Sequence, residues 1–211
     1  MTPGRFIVLE GMDGSGKSSQ ATALADWLEQ QGQQVVRCHD PGATPTGEAI
    51  REILLHRHDL HLAGESEMLL YMAARAQLVR EVIEPALANQ AWVVSDRFLM
   101  SNIVYQGHAG GLDPDVVRQV GQVATGGREP DLTLVLDIDL ATAATRLDRP
   151  LDKLEQRGDA YRERLRQGYQ FEAERAQAVV IDASAEKQTV TASLLAAVSE
   201  TFPELHGPVG G

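Results

Sequence analysis

FIVLEGMDGSGKSSQ, residues Phe6 to Gln20, decides the fold. Phe6 to Leu9 is an uninterrupted apolar run, the pattern of a strand buried on both faces. Gly11 to Ser18 then matches GxxxxGK[ST] in full. Ala21, Leu24, Ala25 and Leu28 follow at steps of three and four, which predicts a helix. Strand, glycine loop and helix in that order are the setting of a phosphate-binding loop. Its glycines let backbone N–H groups turn inward around phosphate oxygens, and the helix start adds unpaired donors and a positive dipole end. The candidate triphosphate cradle is therefore Gly11, Met12, Asp13, Gly14, Ser15, Gly16, Lys17, Ser18 and Ser19. Lys17 brings a cation to the outer phosphates, and the Ser18 hydroxyl suits Mg²⁺.

Outward from this stretch, composition sets bounds. The 211 residues suffice for one domain with a real core. A net charge of −11 argues against broad duplex binding, which needs a basic face. Cys38 is the only cysteine, so no intramolecular disulfide forms, and a reducing compartment fits. The thiol itself reads as a small core residue. There is no cationic-then-apolar leader and no apolar run of membrane length. The expectation is a cytoplasmic protein.

Four more strands are predicted, at 34–38, 92–94, 132–136 and 179–181, each separated by helical patterns. That alternation implies one α/β domain with a five-stranded parallel sheet covered on both faces. Helices are expected over 47–55, 65–87, 98–106, 160–174 and 186–201, and from Asp113-Pro114 to about Thr125. Pro85 is expected to bend the longest of them, and Gly107 to Gly111 to form a flexible break. The tail from Pro203 is expected to fray.

Candidate chemistry gathers at three places. Asp96 and Arg97 follow the third strand, where ligands of an open parallel sheet bind. Asp96 is placed to help hold Mg²⁺, and Arg97 to fork onto a phosphate or close a local salt bridge. Arg75 lies on the apolar stripe of its helix beside Tyr71, so it needs either an ion pair or a polar ligand. The charged stretch 146–158 is either solvated surface or a cationic lid. His56, His58, Asp59 and His61 form an irregular polar stretch that reads as a solvated loop before a metal site.

Taken together, these motifs resemble those of the bacterial type of thymidylate kinase, within the P-loop nucleoside-monophosphate kinases. The anchors are FIVLEGMDGSGKSSQ, DPGATPTGEAIR, YMAARAQLV, SDRFLMSNIVYQG, PDLTLVLD and VIDAS, which span nearly the whole chain. The resemblance implies ATP and Mg²⁺ as cofactors, dTMP as substrate, dTDP as product for dTTP synthesis, and commonly a homodimer. It gives Asp13 to the 3′-hydroxyl region of dTMP, Arg51 and Arg97 to its 5′-phosphate, and Tyr71 to stacking on thymine. Arg75 and Asn102 would read the base edge and Tyr105 would crowd the 2′ position, with Asp40, Pro41 and Gln106 beside them. The family's bacterial loops lack an arginine, here at Gly14, and a lid supplies the catalytic cations. Arg146, Arg149 and Lys153 are the candidates, Arg146 also toward ATP, and they join Asp13, Lys17 and Arg97 in the expected catalytic set. His39-Asp40-Pro41-Gly42-Ala43-Thr44 departs from the family's usual Arg-Glu-Pro-Gly-Gly-Thr. Other acceptors, a non-catalytic nucleotide switch and an ATPase motor share the P-loop. A switch would lack the second, arginine-lined pocket.

Overall fold

A computed structural model describes residues 3–146 and 158–206. Its centre is a parallel sheet of β1 (Phe6–Glu10), β2 (Val35–His39), β3 (Trp92–Asp96), β4 (Leu132–Asp137) and β5 (Val179–Asp182). The strand order is β2-β3-β1-β4-β5, so the strand leading into the glycine loop lies in the middle. Alternation along β1 serves two cores. Phe6 and Val8 pack on one side with Leu78, Ile83 and Phe98. Ile7 and Leu9 pack on the other with Leu24, Leu165 and Leu194. Every side chain of β1 is buried, which is why the run reads as continuously apolar.

Helices cover both faces: α1 (Lys17–Gln30), α2 (Pro45–Leu55), α3 (Gly64–Leu78), α4 (Glu84–Ala88), α5 (Leu99–Asn102), α6 (Pro114–Thr125), α7 (Leu140–Arg146), α8 (Asp159–Arg175) and α9 (Lys187–Thr201). Thr44 starts α2 two residues earlier than expected, because its hydroxyl accepts from the Gly47 N–H at 2.9 Å and Pro45 pre-sets the first turn. The predicted helix over 65–87 is interrupted by a π-helical turn, Val79–Ile83, which carries the chain to Pro85. Proline has no N–H to donate and crowds the carbonyl four residues back, so a wider turn relieves both problems.

Two expectations are corrected. Gly107 belongs to a second π-helical turn, Ile103–His108, rather than to a loose break. A Cβ there would stand 3.1 Å from Pro114 Cα, so the glycine permits a close approach to the start of α6. Pro203–His206 is a short 3₁₀ turn with Leu205 in the core, and Phe202 packs edge-on against Trp92 at 5.1 Å. The frayed tail expected from 203 therefore does not begin there, and residues 207–211 lie outside the described ones. So do 147–157, which contain Arg149 and Lys153 and nearly all of the expected lid.

Candidate active site

The carboxyl ends of the central strands meet in a cleft of about 830 Å³. One wall is the P-loop. Gly16, at φ +89°, turns the chain into α1, and Lys17 is the first helical residue. Lys17 is buried beneath the loop it closes: Nζ donates to the Met12 carbonyl at 2.9 Å and lies 3.9 Å from Asp13. Burial, helped by the Arg97 charge, pulls its pKa down to about 8. Gly14 is pressed against α7, where an added Cβ would be 2.7 Å from the Ala143 carbonyl.

Ser18 Oγ, in the first turn of α1, donates to Asp96 Oδ2 at the end of β3 at 2.5 Å. Asp96 Oδ1 and Ser15 Oγ are buried without a hydrogen-bond partner among the described residues. Hydroxyl and carboxylate oxygens are the hard donors that Mg²⁺ prefers, so the expected pair Ser18 and Asp96 fits that ion. The His56, His58, Asp59 and His61 stretch shows no such site. No group of three metal-ligating side chains occurs among the described residues.

The opposite wall is built around Arg97. Its backbone holds φ +71°, a strained value for a side-chain-bearing residue and one that recurs at functional sites. The expected local salt bridge forms, but with Asp13 rather than with neighbouring Asp96. The guanidinium pairs with Asp13 of the P-loop at 2.5 Å and also donates to the Gly11 carbonyl, Ser101 and the hydroxyls of Tyr105 and Tyr169. Tyr105 donates to the other Asp13 oxygen at 2.8 Å. Burial alone would push the Asp13 carboxyl up. Arg97, Lys17 and the tyrosine reverse this and hold it well below the usual carboxylate range. Arg51 reaches the same cleft from α2, steadied by a 2.8 Å bond to the Pro41 carbonyl.

Arg75 is buried, with its Nε 2.5 Å from Asp40 and its guanidinium over the Phe98 ring. The ion pair that the sequence left open thus forms, with a loop carboxylate after β2, while Arg75 still lines the cleft near Tyr71. Asn102 Nδ2 donates to Gln106, whose own amide donates to Glu67 at 2.8 Å. Because a carboxylate only accepts, Glu67 fixes both amides and leaves Asn102 Oδ1 buried beside the cleft without a hydrogen-bond partner among the described residues. Arg146 donates to the carbonyls of Ala183, Ser184 and Ala185 and is held at the loop after β5.

The sequence reading missed Glu10, Glu67 and Tyr169. Glu10 stands directly before the loop, a carboxylate ending an otherwise apolar strand, and that contrast was the available signal. Tyr169 reads as ordinary apolar packing on α8, and only the fold brings it to Arg97 at 2.9 Å.

A P-loop on the central strand of a parallel sheet, facing a second pocket lined by arginines, defines a P-loop nucleoside-monophosphate kinase. The thymidylate kinase family model matches residues 9–194. The thymidylate kinase of Synechococcus sp. (strain CC9605) is 42% identical over 198 residues, covering 90% of this chain and 95% of that protein. That of Chromohalobacter salexigens is 42% identical over 206 residues, covering 95% and 97%. The crystal structure of thymidylate kinase from Ehrlichia chaffeensis superposes with a TM-score of 0.75 at 27% identity, over 93% of this chain and 99% of that one. The chain belongs to the thymidylate kinase family.

Proposed function

We propose that the protein transfers the terminal phosphoryl group of ATP to the 5′-phosphate of dTMP, giving dTDP and ADP on the route to dTTP. The observation that carries this reading is the Arg97–Asp13 pair, which joins the donor loop to the arginine-lined acceptor pocket in one cleft. An oxygen of the dTMP phosphate attacks the terminal phosphorus of ATP as the bond to the bridging oxygen breaks, so no side-chain nucleophile is required. The protein's contribution is positioning and charge neutralisation. Lys17 and the P-loop N–H groups hold the ATP phosphates, and Arg51 and Arg97 hold the acceptor phosphate. Ser18 and Asp96 are the residues that would hold Mg²⁺, which neutralises charge on the donor phosphates when bound.

Arg75, a donor, and Asn102 Oδ1, an acceptor, complement the O4 and N3–H edge of thymine. Tyr71 supplies the stacking face, and Tyr105, beside Asp13, guards the 2′ position. Arg149 and Lys153, outside the described residues, are proposed as the lid cations, and Arg146 as a donor-side residue. The protein is proposed to act in the cytoplasm as a homodimer and without nucleic acid. Exposed Leu69 on α3 and Val116 and Val123 on α6, two helices packed together, suit a subunit face. Among the described residues no helix is long and apolar enough to cross a membrane.

The test is ADP release with ATP and a panel of nucleoside monophosphates. dTMP should be the preferred acceptor, dUMP weaker, and purine monophosphates inactive. ATP binding without dTMP-dependent ADP release would leave only a nucleotide switch.

A further inference from the structure

Glu10, the last residue of β1, is wholly buried, a position where a carboxylate is costly unless it is used. One oxygen accepts from the backbone N–H of Phe98 at 2.9 Å and of Ser101 at 3.2 Å. The other accepts from the Ser101 hydroxyl at 2.5 Å. Ser101 Oγ in turn lies 3.0 Å from Arg97 Nη1 and 2.9 Å from the Tyr169 hydroxyl, and that hydroxyl is itself 2.9 Å from Arg97 Nη1.

With the Glu10 carboxyl ionised, donor and acceptor rules set the way these protons point. A carboxylate only accepts and a guanidinium only donates. Ser101 has one proton, which goes to Glu10, so both its lone pairs are left for Arg97 and Tyr169. Tyr169 accepts from Arg97 and gives its proton to Ser101 or, at 3.5 Å, to Glu10 itself. All the protons therefore point from Arg97 toward Glu10. The same carboxylate also caps the two N–H groups that follow the strained Arg97 backbone.

We propose that Glu10 is a positioning residue for acceptor phosphate binding: its carboxylate sets the proton direction of Ser101 and with it the aim of the Arg97 guanidinium. The proposal rests on the reading of Arg97 as a clamp for the dTMP phosphate. A glutamine at position 10 can still accept from both backbone N–H groups. It also turns an N–H₂ donor toward Ser101, which must then accept from it and has one lone pair fewer for Arg97 and Tyr169.

The experiment compares the wild type, Glu10→Gln, Arg97→Lys and the double variant by steady-state kinetics in both substrates at about pH 8, where the Glu10 carboxyl is ionised, alongside thermal melts. Glu10→Gln is expected to raise the KM for dTMP about tenfold and to leave the KM for ATP within about twofold. Its effect should shrink in the Arg97→Lys background, because the aim of the guanidinium no longer matters there. A core variant such as Val190→Ala, which only lowers the melting temperature, should move neither KM. An unchanged KM for dTMP in Glu10→Gln, or an equal rise for both substrates, overturns the proposal. If Arg97→Lys itself leaves the KM for dTMP unchanged, the clamp reading fails and takes the proposal with it. An effect of Arg97→Lys without one of Glu10→Gln removes the proposal alone. Should Glu10→Gln not fold, Ser101→Ala cuts the same relay. It should raise the KM for dTMP selectively, and an unchanged value is again decisive against the idea.

Discussion

Arg97 closes a 2.5 Å ion pair on Asp13, from the end of β3 to the middle of the P-loop. Both side chains are partly covered, and Tyr105 completes the contact from a π-helical turn. The donor loop and the proposed acceptor pocket thus share one carboxylate, so a change at Asp13 is expected to reach both nucleotides.

Asp13→Asn is expected to cost about 2 kcal/mol of stability, the usual worth of a hydrogen bond to a charged group in a covered site. The Asp13 pKa is depressed below its ordinary 3.8, so its contribution is complete above that value and is lost as the pH falls toward the folded-state pKa. The stability gap between wild type and variant should stay level from about pH 5 to 8 and narrow below about pH 4. Urea denaturation across pH measures it, and a gap that widens with acid would contradict the assignment.

Tyr105→Ala should relax sugar selectivity. The ring sits against Tyr169 at 6.3 Å and under the Arg97 guanidinium at 5.0 Å, so it is fixed in place and cannot swing away from a 2′-hydroxyl. The ratio of kcat/KM for the ribonucleotide to that for dTMP should rise about tenfold, roughly 1.4 kcal/mol of discrimination. An unchanged ratio removes Tyr105 from that role.

Glu10→Gln should behave oppositely in activity and in stability. Burial is the largest influence on the Glu10 carboxyl and lifts its pKa from 4.5 to about 7. The unfolded chain loses this proton near the ordinary value, whereas the folded protein holds it until about pH 7. The wild type therefore loses stability as the pH rises through that window and loses no more above it. The loss is on the order of 3 kcal/mol. Glutamine has no such transition, so the variant should gain on the wild type from about pH 5 to 7 and hold that gain at about pH 8. Parallel melting curves for the two proteins over that range would exclude a raised pKa.

Local signals carried most of the fold. Continuous apolar runs marked the central strands β1 and β3, because a parallel sheet covered on both faces leaves no polar alternation there. Asp113-Pro114 marked the start of α6, since its cap is made by residues adjacent in sequence. Strand order was not legible, because it depends on crossovers and not on neighbours. The two π-helical turns were hidden for a related reason. Pro85 advertised a disturbance but not its form, and Gly107 looked like slack until Pro114 was seen against it. In the site, the P-loop and the Ser18–Asp96 pair followed from motif and strand-end position. The Asp40 partner of Arg75 and the meeting of Glu10 with Tyr169 did not, as 35 and 159 residues separate them.

The approach of α7 to Gly14 restricts how this loop can change. A left-handed backbone, φ +84°, and a carbonyl 2.7 Å from where a Cβ would stand oppose every side chain at that position, arginine included. A loop that carried its own cation is therefore not one substitution away. The helix would have to shift first, and a chain caught between the two arrangements would hold neither a well-packed α7 nor a settled arginine.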